Sequence, residues 1–69
     1  MKVREFKEAW EKAIAKSDRV HIAYANGRKF AFLIIADSYE LVFNNKAVDL
    51  YYRNKYIGWV DLSSVTDIN

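Results

Sequence analysis

The first part of the chain spaces its apolar residues as a helix does. Five of them share one side of a 3.6-residue helix: Val3, Phe6, Trp10, Ala13 and Ile14. Charged residues occupy the other sides, and Ser17 and Asp18 then favour a turn. The pattern predicts an amphipathic helix over about residues 3–16. Its apolar stripe fits either packing against a sheet or the face of a dimer.

From residue 19 onward the period changes to two, and β-branched and aromatic residues become frequent. Asn26-Gly27 between two such runs is a strong signal for a two-residue hairpin turn. Further turns are predicted at Asp37-Ser38, Asn44-Asn45-Lys46 and Arg53-Asn54. The predicted strands cover about residues 19–25, 28–36, 39–43, 47–52 and 55–62. The tail SSVTDIN fits either a short strand or a single helical turn.

These elements predict one α+β domain over residues 1–69, with a helix followed by a five-stranded antiparallel meander. If Asn26-Gly27 is a two-residue loop, Ala25 faces Arg28. One side then carries Val20, Ile22, Tyr24, Lys29, Ala31, Leu33, Ile35 and Val42. The other carries His21, Ala23, Ala25, Phe30, Phe32, Ile34, Tyr39, Leu41 and Phe43. The placement of residues 39–43 also assumes a two-residue turn at Asp37-Ser38. Because one helix covers only one of these apolar faces, we expect a barrel or a partner chain to hide the second.

The order of elements and the segment NGRKFAFLIIADSYELVF resemble small barrels of the SH3-like and Sm-like kind. The shared features are a turn glycine, a long bent strand, an aspartate and a following apolar strand. This resemblance implies that the meander curls into a barrel. The chain lacks a glycine that would bend the second strand, and the Asp-x-x-Asn signature of the Sm RNA-binding loop reads here as Asp37-Ser38-Tyr39-Glu40. RNA binding and ring assembly are therefore not carried over.

Composition narrows the classes of protein. The 69 residues include no cysteine, which excludes disulfides and thiolate metal sites. The formal charge is +2 with both signs interspersed, a weak argument for nucleic acid. The longest apolar run, Phe30 to Ala36, is far shorter than the roughly 20 residues of a membrane span, and no signal-peptide core is present. We expect a soluble cytoplasmic protein that does not engage membranes.

Catalytic chemistry has few candidates. His21 is the only histidine, and without cysteine the chain offers no evident pair of nucleophile and base. Its place between Val20 and Ile22 is typical of a sheet residue. The carboxylates lack the spacing of metal sites. The chain has no glycine-rich phosphate loop, since its only glycines, Gly27 and Gly58, fit a turn and a strand bend. We expect no enzyme activity, no metal, no cofactor and no small-molecule substrate.

The strongest candidate site is the predicted hairpin YYRNKYIGW, which combines aromatic rings with cations. The candidate binding residues are Tyr51, Arg53, Lys55, Tyr56 and Trp59, with Arg28 and Lys29 at the first turn. The tyrosines fit either interface anchors or ordinary cross-strand pairs. Likewise, the two cations at the first turn either extend a cationic rim or keep the hairpin tip solvated.

The length of the last hairpin loop decides which of these rings are free. With a two-residue loop at Arg53-Asn54, Tyr51 pairs with Tyr56 on one face. The buried face then comprises Val48, Leu50, Tyr52, Ile57 and Trp59. A three-residue loop changes this pairing.

Three functions fit this inventory. The first is a non-enzymatic protein-binding module, an adaptor or inhibitor that occupies a partner surface, as small standalone domains often do in bacterial or phage regulation. The second is a small barrel that binds nucleic acid through tyrosines and phosphate contacts from Arg28, Lys29, Lys46, Arg53 and Lys55. The third is a structural subunit that self-associates through the spare apolar face.

Overall fold

The structure is a computed structural model that describes residues 1–26 and 30–69. Its elements are α1 (Val3–Lys16), β1 (Val20–Asn26), β2 (Phe30–Ala36), β3 (Ser38–Val42), β4 (Ala47–Tyr52), β5 (Lys55–Asp61), a 3₁₀ turn (Leu62–Ser64) and β6 (Val65–Ile68). The strands form two antiparallel sheets, ordered β2-β1-β6 and β3-β4-β5. The α+β class is as predicted, but the strands of the described residues form no closed barrel.

The helix packs its apolar stripe against the core. Phe6, Trp10 and Ala13 are buried, and the ring of Tyr39 in β3 meets those of Phe6 and Trp10 at centroid distances of 5.0 and 4.6 Å. Both contacts are edge-to-face, the arrangement that aromatic quadrupoles favour. The stripe is therefore part of the core and not a dimer face.

The predicted hairpin turn at Asp37-Ser38 is wrong. A single residue, Asp37, separates β2 from β3, and the two strands pair in different sheets. The Asp37 N–H donates to the Tyr51 carbonyl, and the Asp37 carboxylate accepts from the Arg53 N–H, both at 2.9 Å. These two hydrogen bonds hold the chain where it leaves one sheet and joins the other. The strands therefore form two sheets joined at a bend instead of the predicted single meander.

The tail forms both of the structures that its sequence allowed. The Asp61 carboxylate accepts from the Ser63 N–H at 2.9 Å and from its hydroxyl at 2.7 Å, which caps the 3₁₀ turn. The chain then enters β6, a sixth strand that pairs with β1. His21 and Asn69 extend this pairing by exchanging two backbone hydrogen bonds of 2.7 and 2.9 Å.

The register between β1 and β2 differs from the expected one. Asn26 belongs to β1 and pairs with Phe30, so Ala25 faces Ala31 and not Arg28. The partner of Ala25 is thus shifted by three residues, an odd number, and the faces exchange. Val20, Ile22 and Tyr24 share their face with Phe32, Ile34 and Ala36, while Leu33 is 62% exposed on the opposite face. Gly27, Arg28 and Lys29 lie outside the described residues, and with them the predicted turn.

One core lies between the two sheets and the helix. Its largest fully buried side chains are Phe6, Val20, Ile22, Val48 and Leu50. Ile34, Tyr39 and Leu41 pack against it from the inner faces of the strands that flank the bend. The outer face of the β3-β4-β5 sheet is consequently directed away from the core.

Candidate docking surface

The turn between β4 and β5 has two residues. Arg53 and Asn54 have φ angles of 51° and 67°, the left-handed pair that a type I′ turn requires. Tyr51 consequently lies opposite Tyr56, with their ring centroids 5.7 Å apart in an edge-to-face arrangement. The pairing predicted for a two-residue loop is confirmed.

A β-bulge then changes the parity of β5. Leu50 lies opposite Gly58, whereas the next residue, Tyr51, lies opposite Tyr56. Ile57 is therefore an extra residue on β5, and every later side chain on the strand moves to the other face. Gly58 follows the extra residue with a φ of +142°, which suits glycine far better than any other residue.

The bulge overturns part of the predicted buried face. Val48 and Leu50 are fully buried as expected, but Trp59 is 58% exposed and Ile57 is 38% exposed. Trp59 lies opposite Asp49 on the outer face of the sheet, and Val60 takes the inward position instead.

Phe43 contributes a further exposed ring to this surface, although it is not among the predicted site residues. It begins the β3-β4 turn, where Phe43, Asn44 and Asn45 have consecutive φ angles of 53°, 55° and 65°. This turn directs Phe43 outward, where it is 70% exposed and its ring lies 6.3 Å from that of Trp59. The left-handed conformation costs a bulky aromatic residue about 1–2 kcal/mol relative to its preferred regions.

Two carboxylates lie on the same outer face. Glu40 on β3 is directly opposite Asp49 on β4, and Asp49 is in turn opposite Trp59. The ion pairs found in the described part of the chain, Arg4 with Glu8 and Arg19 with Asp18, involve neither Glu40 nor Asp49. Like charges directly opposite each other destabilise a sheet, so this arrangement opposes folding.

We call this surface the outer aromatic face, defined by Glu40, Phe43, Asp49, Tyr51, Tyr56 and Trp59. The pKa of the Tyr51 hydroxyl is raised above its ordinary value, first because burial removes water from the phenolate and then because Asp49, Glu40 and Tyr56 lie nearby. Tyr51 is consequently a neutral hydrogen-bond donor at neutral pH, beside two negative charges.

The predicted cations Arg53 and Lys55 are associated with Tyr52, which follows Tyr51 on β4 and therefore lies on the opposite face of the sheet. Arg53 places its guanidinium 5.3 Å from the ring centroid of Tyr52, and Arg19 approaches the same ring at 5.9 Å. Lys55 lies opposite Tyr52 beside the turn. Two other predicted site residues, Arg28 and Lys29, lie outside the described residues.

His21 lies in a separate cleft between α1 and the ends of β1 and β6. Its Nδ1 is 3.3 Å from the Asn69 carbonyl oxygen, a contact that a protonated Nδ1 makes as a donor. Within the described chain, no three His, Cys, Asp or Glu side chains are grouped so as to hold a metal ion.

No protein-family model matches the chain, and no curated protein or solved structure matches it. The described part of the chain has no helix that is both long and apolar enough to cross a membrane.

Proposed function

We propose that the protein is a non-enzymatic protein-binding module, an adaptor or inhibitor that occupies a partner's surface with its outer aromatic face. The observation that carries this proposal is the grouping of Phe43, Tyr56 and Trp59, which are 70%, 55% and 58% exposed. A chain of 69 residues needs its large apolar side chains for the core. Placing three of them on one outer face is typical of an interaction site.

The strained conformation of Phe43 supports the same proposal. Backbone strain persists where the surrounding structure enforces it, and it concentrates at functional sites. Phe43 combines that strain with solvent exposure, so in the free protein it contributes little to folding. Burial of this ring by a partner would recover hydrophobic free energy that the isolated chain does not gain.

The side chains have distinct roles in this proposal. Trp59 and Phe43 are the hydrophobic anchors, since large rings dominate the binding energy of protein interfaces. Tyr51 and Tyr56 add apolar area together with hydroxyls that form hydrogen bonds. Arg53 and Lys55 lie at the turn on the Tyr52 side of the sheet, so their contribution is limited to the edge of the interface.

The distribution of charge favours a protein partner over nucleic acid. Glu40 and Asp49 share the surface with the tyrosines and would repel a phosphate backbone. Lys46 lies before β4, whereas Arg53 and Lys55 lie beyond its other end. The described part of the chain thus offers no continuous cationic track beside the rings.

Affinity capture from the cells that produce the protein tests the proposal. The wild type is compared with Tyr56→Ala plus Trp59→Ala and with a control, Lys7→Ala plus Glu11→Ala, on an exposed side of the helix. Both variants should remain folded by circular dichroism because all four residues are exposed. We expect the wild type and control to capture the same protein and the aromatic variant to lose it. Equal capture by all three would overturn the proposal.

Self-association is a second candidate, favoured by the composition of β2. This strand is an edge of its sheet, its seven residues are all apolar, and Leu33 and Ile35 are 62% and 38% exposed. Natural edges usually carry charges that block pairing with another chain. If β2 joins two copies, light scattering should show a dimer that Leu33→Lys dissociates. A wild-type monomer at high concentration would exclude it.

We also propose that the two sheets are halves of one small SH3-like barrel. The bend at Asp37 supports this arrangement because it carries the chain directly from one sheet to the other. A single core filled from both sheets is also what a barrel interior requires.

A further inference from the structure

The opposed carboxylates on the outer aromatic face lack a counter-charge within the described chain. Glu40 and Asp49 are cross-strand neighbours, and such positions bring Cβ atoms to about 5 Å of each other. Of the cations that flank β4, Lys46 interacts electrostatically with Asp61, and Arg53 is directed onto the ring of Tyr52. The free protein therefore holds two cross-strand carboxylates beside Tyr51 and Trp59, and neither carboxylate forms an ion pair within the described chain.

Aromatic rings frame these carboxylates. Trp59 lies directly opposite Asp49, and Tyr51 is the next residue of β4 on the same face. Ring faces attract cations, and Arg side chains in particular stack on them. Because the Tyr51 hydroxyl stays protonated, it does not add a charge but can donate a hydrogen bond.

We propose that the outer aromatic face binds a basic protein segment by receiving an arginine side chain over Glu40 and Asp49. The planar guanidinium has donors enough for both carboxylates, and its stem packs against Trp59. This inference rests on the proposed docking function and specifies the chemistry of the partner. Apolar residues of the same segment would cover Phe43 and Tyr56.

Charge complementarity selects this occupant. An arginine neutralises the repulsion between the two carboxylates and gains cation–π contact in the same position. An acidic segment would increase the repulsion that the sheet already contains. A wholly apolar segment would bury both charges without a partner, which is strongly unfavourable.

The first experiment measures binding of defined peptides by fluorescence anisotropy. The probe is a labelled peptide of alternating arginine and valine, and its matched control has citrulline, a neutral analogue of similar shape, in place of each arginine. We expect the arginine peptide to bind, to weaken with added salt, and to bind about tenfold or more tightly than the citrulline peptide. Equal binding of the two peptides, or no binding of either, would overturn the inference.

A variant that removes both carboxylate charges then locates the site. Glu40→Gln plus Asp49→Asn should weaken binding of the arginine peptide by about tenfold or more and should raise the melting temperature of the free protein, because the repulsion is removed. The control, Glu5→Gln plus Glu11→Gln, makes the same change in net charge on the helix. Equal weakening by both variants would show a response to net charge alone and would contradict the proposed site.

The two proposals fail in different ways. If Tyr56→Ala plus Trp59→Ala abolishes capture of the cellular partner while Glu40→Gln plus Asp49→Asn leaves it intact, the face docks a protein but does not need an arginine. If the aromatic variant captures the same partner as the wild type, the docking function itself is wrong.

Discussion

Gly58 has an unusual backbone conformation. At Gly58 the φ of +142° accompanies the bulge that turns Trp59 outward. A Cβ there would meet only the Ile34 Cδ1, at 3.9 Å, which is ordinary van der Waals contact. Any cost of a side chain at this position therefore comes from the backbone conformation and not from a clash.

Gly58→Ala should lower the free energy of unfolding by about 1–3 kcal/mol, the usual cost of a strained backbone conformation. Urea denaturation measures the effect. Ser38→Ala, at an exposed strand position, is the control and should change stability by less than about 0.5 kcal/mol. Equal stability of the two variants would contradict the assignment of strain to Gly58.

Phe43→Asn should leave the free energy of unfolding unchanged or raise it by up to about 1 kcal/mol, because asparagine tolerates the left-handed conformation that phenylalanine avoids. The same variant should bind the captured partner more weakly, since an anchor is removed. Thermal melting and affinity capture measure the two effects. A clear loss of stability would show that Phe43 serves the fold and not binding.

Tyr51 and Tyr56 show how far the candidate site could be predicted from local pattern. Their pairing follows from a two-residue turn at Arg53-Asn54, one of the two loop lengths that the sequence allows. Trp59 could not be placed correctly, because the preceding bulge adds one residue at Ile57 without a distinctive signal other than Gly58. The pairing of Glu40 with Asp49 depends on the β3-β4 register and could not be predicted from local pattern either.

At the scale of elements, Asp37 and Asp61 each fix a change of direction with hydrogen bonds. The sequence predicts a break between strands at Asp37, but its role as a bend between two sheets depends on hydrogen bonds to Tyr51 and Arg53, which are remote in sequence. The helix was easier to predict because its periodicity and its burial both follow from one continuous segment.

Asp61 gives the stability of the 3₁₀ turn a pH dependence. Its pKa is lowered, first by the hydrogen bond with the Ser63 side chain and then by that with the Ser63 N–H. A lowered folded-state pKa means that its contribution is present above the ordinary carboxyl pKa and is lost as pH falls through the folded value.

Wild-type protein should therefore lose more stability than Asp61→Asn when the pH falls from about 6 to about 2. Asparagine retains an acceptor oxygen but does not titrate. Chemical denaturation across this range measures the difference. Parallel pH profiles for the two proteins would show that the Asp61 carboxylate is not coupled to folding.

At the scale of the whole molecule, the β3-β4-β5 sheet has two unequal sides. The inner side carries fully buried Leu50 and Val48, while the outer side carries exposed Trp59 and Tyr56. This division could be anticipated only in part from alternation, because the bulge on β5 and the longer β1-β2 connection each shift the faces.

Leu50→Ala should lower the free energy of unfolding by about 2–5 kcal/mol, because it leaves a cavity in the core. Trp59→Ala should lower it by less than about 1 kcal/mol, although it removes a larger side chain. Urea denaturation of both variants tests the division. A larger loss from Trp59→Ala would mean that the outer side is part of the folded core.

The most direct test of the docking surface is photo-crosslinking in the cells that produce the protein. A photoreactive phenylalanine derivative is introduced at the position of Tyr56 in one sample and of Lys7 in another. Both positions are exposed, but only the first is on the outer aromatic face. We predict that irradiation joins a distinct protein to the chain through position 56 and not through position 7. Absence of a crosslink at position 56, or the same products from both positions, would contradict the proposed docking surface.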